Sequence, residues 1–271
     1  MSNSRTMILG GGSLGKAMAN GLLEASGRQA GDLVVTRRRV ELLEDLRELG
    51  VETTSDNRAA VRSARVVIIA VEPAHVENVV REIAPDLDPS QHVLVSCATG
   101  VSIDVLLESS GGQIPIVLAM PNTAVAVGAS MTCLTARNES QAVVDEVVAL
   151  FEEVGSVEII PEELIGAATV LGACGIAYAL RFVRGASQGG IEIGFDARTA
   201  RRIAANTAFG AAKLLLDREH HPEREIDRVT TPRGCTIAGL NEMEHRGFSS
   251  ALIKGVTTSY QKIARISEEN Q

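Results

Sequence analysis

Gly10-Gly11-Gly12-Ser13-Leu14-Gly15 is the stretch of this chain that decides its fold. The glycines at positions 10, 12 and 15 follow a short apolar run at 7–9 and open an amphipathic stretch that continues to residue 25. Glycines at this spacing permit a tight turn, a close backbone approach to a bound group, and close packing of a helix on the preceding strand. The segment therefore predicts a strand, a glycine-rich turn and a helix.

Outward from this segment, short apolar runs alternate with helical patterns through the first 160 residues. The run 66–70, Val-Val-Ile-Ile-Ala, is typical of a central parallel strand that is covered on both faces. Further strands are predicted over residues 33–35, 92–95, 116–118, 130–135 and 157–160, and helices over 14–25 and 40–49. The alternation predicts a Rossmann-like, doubly wound α/β domain.

After Pro161 the strand patterns stop. Helical periodicity is predicted over residues 163–183, 196–216, 236–245 and 249–268, and Pro222 suits the first turn of a short helix. We therefore expect two domains that pack directly, 1–161 and an all-helical 162–271. The apolar run 165–180 contains no charged residue and falls short of a membrane span. It favours a helix buried between subunits or domains over one in a membrane.

Composition limits the partners and the compartment. The chain has 271 residues and a formal net charge of −8, which argues against a nucleic acid or an anionic membrane as partner. Its four cysteines form no CxxC pair, and its five histidines show no metal-ligand spacing. We expect no metal, no disulfide framework and a cytoplasmic location, with no signal peptide ahead of the first strand.

The glycine segment also indicates a ligand. Between a strand and a helix, GxGxxG is typical of dinucleotide binding, although glycines alone turn many loops. NAD-specific proteins place an acid about twenty residues further on, whereas this chain has Thr36-Arg37-Arg38 there. Arginines and a hydroxyl suit a 2′-phosphate, so NADP(H) is predicted in preference to NAD(H). The alternative is a solvated start of a helix.

A second segment, at residues 230–240, predicts an anion site. Pro232 and Gly234 force a turn, and an apolar run with helical spacing follows. We expect the N–H groups of Gly234, Cys235 and Thr236 to point in front of this helix, where they favour a carboxylate or a phosphate. The Thr236 hydroxyl lies at the same place.

Taken together, these residues resemble the pyrroline-5-carboxylate reductase family, which makes proline. The resemblance covers nearly the whole chain, and the order and spacing of its motifs agree. The motifs are the N-terminal glycine segment, Ala70-Val71-Glu72-Pro73, Ser96-Cys97-Ala98-Thr99-Gly100, Met120-Pro121-Asn122-Thr123, Gly175-Ile176-Ala177-Tyr178 and the segment 232–240.

The resemblance implies NADPH-dependent reduction of a cyclic imino acid, 1-pyrroline-5-carboxylate to L-proline. It also implies a C-terminal domain that forms a homodimer by interleaving, and rings of such dimers. The cofactor-binding residues it implies are Leu9, Gly10, Gly11, Gly12, Ser13, Leu14, Arg37, Arg38, Asn57, Ala70, Val71, Glu72, Pro73, Cys97, Ala98, Thr99, Met120, Pro121 and Asn122.

The same resemblance implies the substrate-binding residues. These are Gly234, Cys235 and Thr236, which meet the carboxylate and the ring, and Glu219, which otherwise reads as an exposed acid at a helix end. Thr236 is the expected catalytic residue, since its hydroxyl could hydrogen-bond the ring nitrogen and hold the charged imine or relay a proton.

Several positions depart from the family pattern. Glu72 stands where the family has a lysine, Leu118 where it has an arginine, and Arg233 where it has a glycine; residues 173–176 and Cys235 also differ. The changes at 173–176, 233 and 235 leave open a reductase of a different cyclic imine. Glu72 and Leu118 leave open a second alternative, a non-catalytic NADP-binding sensor.

Overall fold

The computed structural model describes residues 5–25 and 27–269, which form two compact units. The first unit contains the chain up to Cys174 and the C-terminal segment from Ser259, and the second contains residues 175–258. The domain boundary at residue 161 stays a prediction.

An eight-stranded sheet forms the first unit, in the order β3-β2-β1-β4-β5-β6-β7-β8. All neighbouring pairs are parallel except β6 and β7, which are antiparallel. The strands are β1 Thr6–Leu9, β2 Leu33–Thr36, β3 Glu52–Thr54, β4 Val66–Ile69, β5 Val93–Ser96, β6 Ile116–Met120, β7 Ser130–Ala136 and β8 Gly155–Ile159. Strand order reverses next to β1, which is the switch point where such sheets bind ligands.

Helices cover both faces of the sheet. They are α1 Ser13–Glu24, α2 Glu44–Glu48, α3 Asn57–Val61, α4 Val76–Ile83, α5 Ile103–Ser110, α6 Gln141–Glu152 and α7 Ile165–Ala168. Successive strand residues point to opposite faces, so Ile8 and Ile68 join one buried cluster while Met7 and Val67 join the other. The predicted doubly wound α/β fold is confirmed.

The second unit is helical, as predicted. It contains α8 Gly175–Glu192, α9 Ala197–Arg218, α10 Pro222–Val229, α11 Cys235–His245 and the first half of α12 Phe248–Glu269. Helices α8 and α9 approach closely, since a Cβ on Gly190 would lie 3.0 Å from the Ala200 Cβ. The Phe182 and Phe248 rings meet edge to face at 6.5 Å.

Most large apolar side chains of this unit are exposed in the single chain. The set is Leu180, Phe182, Ile191, Ile193, Phe195, Ile203, Phe209, Leu214, Leu216, Val229, Met243, Phe248, Leu252 and Ile253. Within the described part of this unit, only Ala200 and Ala204 are buried apolar residues. A soluble monomer rarely exposes so many apolar side chains together, which favours an interface at this surface.

A π-helical segment, Thr169–Cys174, joins α7 to α8. The continuous helical stretch Glu162–Glu192 is therefore longer than the helix predicted over residues 163–183. By length and composition alone it could cross a membrane, and no other helix in the described residues could. Apolar helices that pack in soluble proteins meet the same criteria.

Candidate active site

A cleft of about 700 Å³ opens at the carboxyl ends of β1, β2 and β4. In the described residues it is lined by Leu9, Gly10, Gly11, Gly12, Thr36, Arg37, Arg38, Arg39, Asn57, Ala70, Val71, Glu72, His75, Asn78, Val79 and Glu82. The cleft thus brings together ten of the cofactor residues named from the sequence: 9–12, 37, 38, 57 and 70–72. Its place in the fold is the one where doubly wound sheets bind nucleotides.

The three motif glycines have distinct surroundings. Gly10 has a φ of +111°, and a Cβ there would lie 2.7 Å from the Ala70 carbonyl oxygen. A Cβ on Gly15 would lie 2.1 Å from the Gly10 carbonyl oxygen, so only glycine lets α1 pack this closely. Gly12 instead faces open space, since a Cβ on it would meet no atom within 4 Å. A ligand can therefore approach the backbone at Gly12.

Helix α1 presents unsatisfied donors beside Gly12. Among the residues of α1, the first backbone N–H with an acceptor is that of Lys16, which donates to the Gly12 carbonyl at 2.9 Å. The N–H groups of Ser13, Leu14 and Gly15 precede it, and Gly12 caps the helix without a side chain. This helix end is suited to an anion such as a pyrophosphate.

Three arginines follow β2 at the edge of the cleft. Arg37 is half-buried, and its Nη1 donates to the Gly11 carbonyl at 2.7 Å. Arg38 and Arg39 are exposed, and neither has a hydrogen-bond or ion-pair partner in the described part of the chain. The acids of the cleft are Glu72 and Glu82, which lie beyond β4 rather than at the end of β2.

One wall of the cleft was missed in the sequence analysis. It is the polar face of α4 and the turn before it, formed by His75, Asn78, Val79 and Glu82. Their spacing of three, four and seven residues is a helical face, which could have revealed them. The Asn57 amide donates to both Glu82 carboxylate oxygens, at 3.2 and 3.1 Å, and so joins this wall to α3.

Other predicted cofactor residues lie outside the lining of this cleft. They are Ser13, Leu14, Pro73, Cys97, Ala98, Thr99, Met120, Pro121 and Asn122. Cys97, Ala98 and Met120 are buried at the ends of β5 and β6. Burial raises the pKa of the Cys97 thiol to about 12, so this thiol is not a nucleophile at neutral pH.

The Asn122 side chain is occupied inside the first unit. Its Oδ1 accepts from the Ala124 N–H at 2.9 Å, and its Nδ2 donates to the Gly172 carbonyl in the π-helical segment at 3.4 Å. Its backbone N–H donates to Ser130 Oγ at 3.1 Å. In this conformation Asn122 ties the loop after β6 to residues 169–174.

In the second unit, the segment 230–236 forms the turn expected from the sequence. Helix α11 begins at Cys235 with Gly234 as its cap, and Arg233 has a φ of +61°. The expectation of a free N–H at Gly234 is wrong, because this group donates to the Thr231 carbonyl at 2.9 Å and closes the turn. The first-turn donors are those of Cys235, Thr236 and Ile237. The Cys235 side chain is exposed and Thr236 is half-buried.

Glu219 follows the end of α9 with a φ of +54°, and its side chain is exposed. A second acid, six residues further on, has several charged and hydrogen-bonding partners. Glu225 meets His220 Nδ1 at 2.5 Å, Arg218 Nη1 at 3.3 Å and Arg228 Nη1 at 3.7 Å. The His220 hydrogen bond, with help from both arginines, lowers the pKa of Glu225. This cluster fixes the connection between α9 and α10.

No group of three or more His, Cys, Asp or Glu side chains in the described residues could hold a metal ion.

Comparison with known proteins agrees with this architecture. A family model described as pyrroline-5-carboxylate reductase dimerisation matches residues 162–266, and one described as NADP oxidoreductase coenzyme F420-dependent matches residues 5–100. Pyrroline-5-carboxylate reductase from Coxiella burnetii has a similar structure, with a TM-score of 0.88, 27% identity, and coverage of 98% of this chain and 99% of that one. An NADP-bound Plasmodium falciparum pyrroline carboxylate reductase shares the fold, at a TM-score of 0.87, 23% identity, and coverage of 98% and 99%.

Curated relatives are more similar in sequence. Pyrroline-5-carboxylate reductase 1 of Dictyostelium discoideum is 42% identical over 97% of this chain, which spans about half (50%) of that protein. Pyrroline-5-carboxylate reductase 2 of the same organism is 40% identical, over 97% of this chain and 93% of the relative. The Mycobacterium leprae pyrroline-5-carboxylate reductase is 35% identical over 91% of both chains. With this identity extending through the glycine turn, the cleft and the helical half, the chain belongs to the pyrroline-5-carboxylate reductase family.

Proposed function

We propose that this chain reduces 1-pyrroline-5-carboxylate to L-proline with NADPH. Family membership over nearly the full chain is the observation that carries the proposal. The cleft fits the cofactor, because free N–H groups at α1, the open face of Gly12 and unpartnered arginines suit its phosphates. When bound, the reduced nicotinamide supplies the hydride.

We propose that NADP(H) is preferred over NAD(H). Arg38 and Arg39 support this preference, since both are exposed in the cleft without a partner in the described residues. The positions directly after β2, 37–39, are arginines, so no acid stands there to bind a ribose 2′-hydroxyl. Arg38→Ala and Arg39→Ala should each raise the KM for NADPH about tenfold or more, as expected for loss of a charged hydrogen bond, and leave the KM for NADH unchanged. Equal effects on both cofactors would contradict the preference.

We propose that the substrate carboxylate binds the N–H groups at the start of α11, and that the Thr236 hydroxyl hydrogen-bonds the ring nitrogen. Reduction of a protonated imine asks mainly for orientation, because the C=N bond is already electrophilic. The roles of Cys235 and Glu219 at the substrate rest on the same family pattern, with the N–H of Cys235 as a carboxylate donor and Gly234 as the cap that opens the helix.

Thr236→Ala should lower kcat at least tenfold, because the hydroxyl that orients the charged imine is lost. Affinity for NADPH should stay unchanged, and Thr236→Ser, which keeps the hydroxyl, should retain most of the activity. Both values come from steady-state assays of NADPH oxidation with pyrroline-5-carboxylate, together with NADPH titration by fluorescence. Full activity in a folded Thr236→Ala protein would reject this role.

A different cyclic imine is the second candidate substrate. Arg233 favours it, because a long cationic side chain is exposed in the substrate segment where the family has a glycine. A panel that contains pyrroline-5-carboxylate, a six-membered cyclic imino acid and larger imines would decide between them. Cofactor binding without NADPH oxidation by any of these imines would instead support a sensor.

We further propose a homodimer formed through the helices of residues 162–271, assembled into rings of dimers, in the cytoplasm. The dimerisation family model and the exposed apolar side chains of the second unit support the dimer.

A further inference from the structure

Three consecutive glycines form the turn between β1 and α1, and such a turn is intrinsically loose. Glycine loses more conformational freedom on folding than any other residue. A cofactor that binds the backbone here must find the turn already ordered, or binding itself has to order it.

In this turn, both backbone polar groups of Gly11, its N–H and its carbonyl, are hydrogen-bonded to residues at the end of β2. Its N–H donates to the Thr36 carbonyl at 2.8 Å, and its carbonyl accepts from Arg37 Nη1 at 2.7 Å. The Gly10 N–H donates to the same Thr36 carbonyl at 3.1 Å. Arg37 itself is anchored, since its backbone N–H donates to the Thr54 carbonyl of β3 at 3.1 Å.

Arg37 therefore differs from its two neighbours. Arg37 is half-buried and its guanidinium is bonded to the turn, whereas Arg38 and Arg39 are exposed and without partners in the described part of the chain. We propose that Arg37 is a positioning residue that orders the glycine turn for any dinucleotide, and that Arg38 and Arg39 alone discriminate NADPH from NADH. The inference rests on the proposed function and deepens it, adding Arg39 as a specificity-determining residue.

A guanidinium has five donors, so the bond to Gly11 leaves donors that could also reach a phosphate. The two roles separate in binding experiments. Loss of a residue that orders the turn weakens the binding of NADPH and of NADH alike, whereas loss of a residue that binds the 2′-phosphate weakens the binding of NADPH only.

The test is a fluorescence titration of the full-length protein with NADPH and with NADH, without any imine. Arg37→Ala should raise both dissociation constants by a similar factor, about tenfold. Arg37→Lys, which keeps a charged donor, should restore both to within about threefold of the wild type. Arg38→Ala and Arg39→Ala are the matched controls, and each should weaken NADPH alone.

A change confined to NADPH in Arg37→Ala, or no change with either cofactor, would overturn the inference. If Arg37→Ala does not fold, as judged by circular dichroism, Arg37→Gln, which keeps a long polar side chain but loses the charge, serves in its place with the same expected and contradicting results. A wild-type protein that binds both cofactors but reduces no imine would contradict the proposed activity and leave this inference standing.

Discussion

Arg233 adopts a left-handed backbone conformation, with a φ of +61°, two residues before the start of α11 proper at Cys235. In that region a Cβ crowds the neighbouring carbonyl oxygen, which costs a non-glycine residue about 1–2 kcal/mol. The turn holds this conformation because the Gly234 N–H donates to the Thr231 carbonyl. The turn is so tight that a Cβ on Gly234 would clash with Thr231. Arg233 therefore stores strain in the proposed substrate segment.

Arg233→Gly should stabilise the protein, because glycine adopts a positive φ without strain; the greater freedom of glycine in the unfolded chain leaves a net gain of about 0.5–1 kcal/mol. The measurement is the urea midpoint of unfolding. Arg201→Gly, at an exposed site inside α9, is the control and should destabilise by about 0.5–1 kcal/mol. Destabilisation by both changes would contradict strain at position 233.

The four cysteines should react at very different rates. Cys97 is buried and its thiol has a pKa of about 12, whereas Cys235 is exposed at the start of α11. Because the thiolate is the reactive form, Cys97 should stay unmodified by a thiol reagent at pH 8, and Cys235 should react first. Mass spectrometry of briefly labelled protein checks the order, and Cys235→Ser should remove the fast site. A fast site that persists in Cys235→Ser would contradict the assignment.

At the scale of elements, the sequence predicted seven of the eight strands, because the runs at the sheet centre are apolar and β-branched. It did not reveal β3, since Glu52, Thr53 and Thr54 form a short, polar edge strand without a readable alternation. The predicted helix 40–49 begins instead as a 3₁₀ turn, Val40–Leu43, and continues as α2. Periodicity alone does not distinguish these two helix types, since a single turn of each has nearly the same apolar spacing.

Spacing predicted the glycine motif of the candidate site and the arginines after β2, and the family resemblance named the other predicted residues of the cleft. Gly10, Gly12 and Gly15 follow from spacing, because each glycine has a local backbone reason that sequence can express. The bond from Arg37 to Gly11 and the inward position of Asn122 do not, because both depend on which strand lies beside which. A single sequence does not show which segments that are distant along the chain lie side by side in the fold.

Gly21 shows how closely α1 packs on the 3₁₀ segment Thr123–Val127. A Cβ on Gly21 would lie 2.0 Å from the Val125 carbonyl oxygen, well inside contact distance. Replacing glycine by alanine inside a helix normally stabilises it by about 1 kcal/mol, but here the clash should reverse the sign and destabilise the protein by about 2 kcal/mol.

The comparison for Gly21→Ala is Asn20→Ala at the preceding position of α1. Alanine is the better helix former there, so this change should be neutral or stabilising by about 0.5 kcal/mol. Thermal unfolding of both variants gives the result. A Gly21→Ala protein as stable as the wild type would show that α1 can move away from Val125 at little cost.

At the scale of the whole molecule, the two units differ in how they cover apolar side chains. The first buries them in two clusters on the faces of its sheet, whereas the second leaves residues such as Leu180 and Phe209 exposed at 62% and 68%. The sequence indicated a buried helix at 165–180 but did not indicate what packs against it. The apolar pattern of one chain is the same whether the helix is buried by its own chain or by another one. The sequence does not identify the substrate for a related reason. The residues at 173–176, 233 and 235 that differ from the family pattern change side chains without changing the fold.

Phe209→Glu should convert the proposed dimer into monomers, because in a symmetric dimer each substitution acts twice. Loss of a buried phenylalanine costs about 1.5–3 kcal/mol per site, so the dimer dissociation constant should rise at least a hundredfold. Analytical ultracentrifugation measures this shift, and imine reduction should fall with it. NADPH binding should persist, since its cleft is built from the first unit.

Arg198→Glu, at an exposed polar position in the first turn of α9 where an acid suits the helix dipole, is the control and should stay dimeric. A Phe209→Glu protein that stays dimeric would place the interface elsewhere, and one that is monomeric but fully active would show that a single chain holds the complete site.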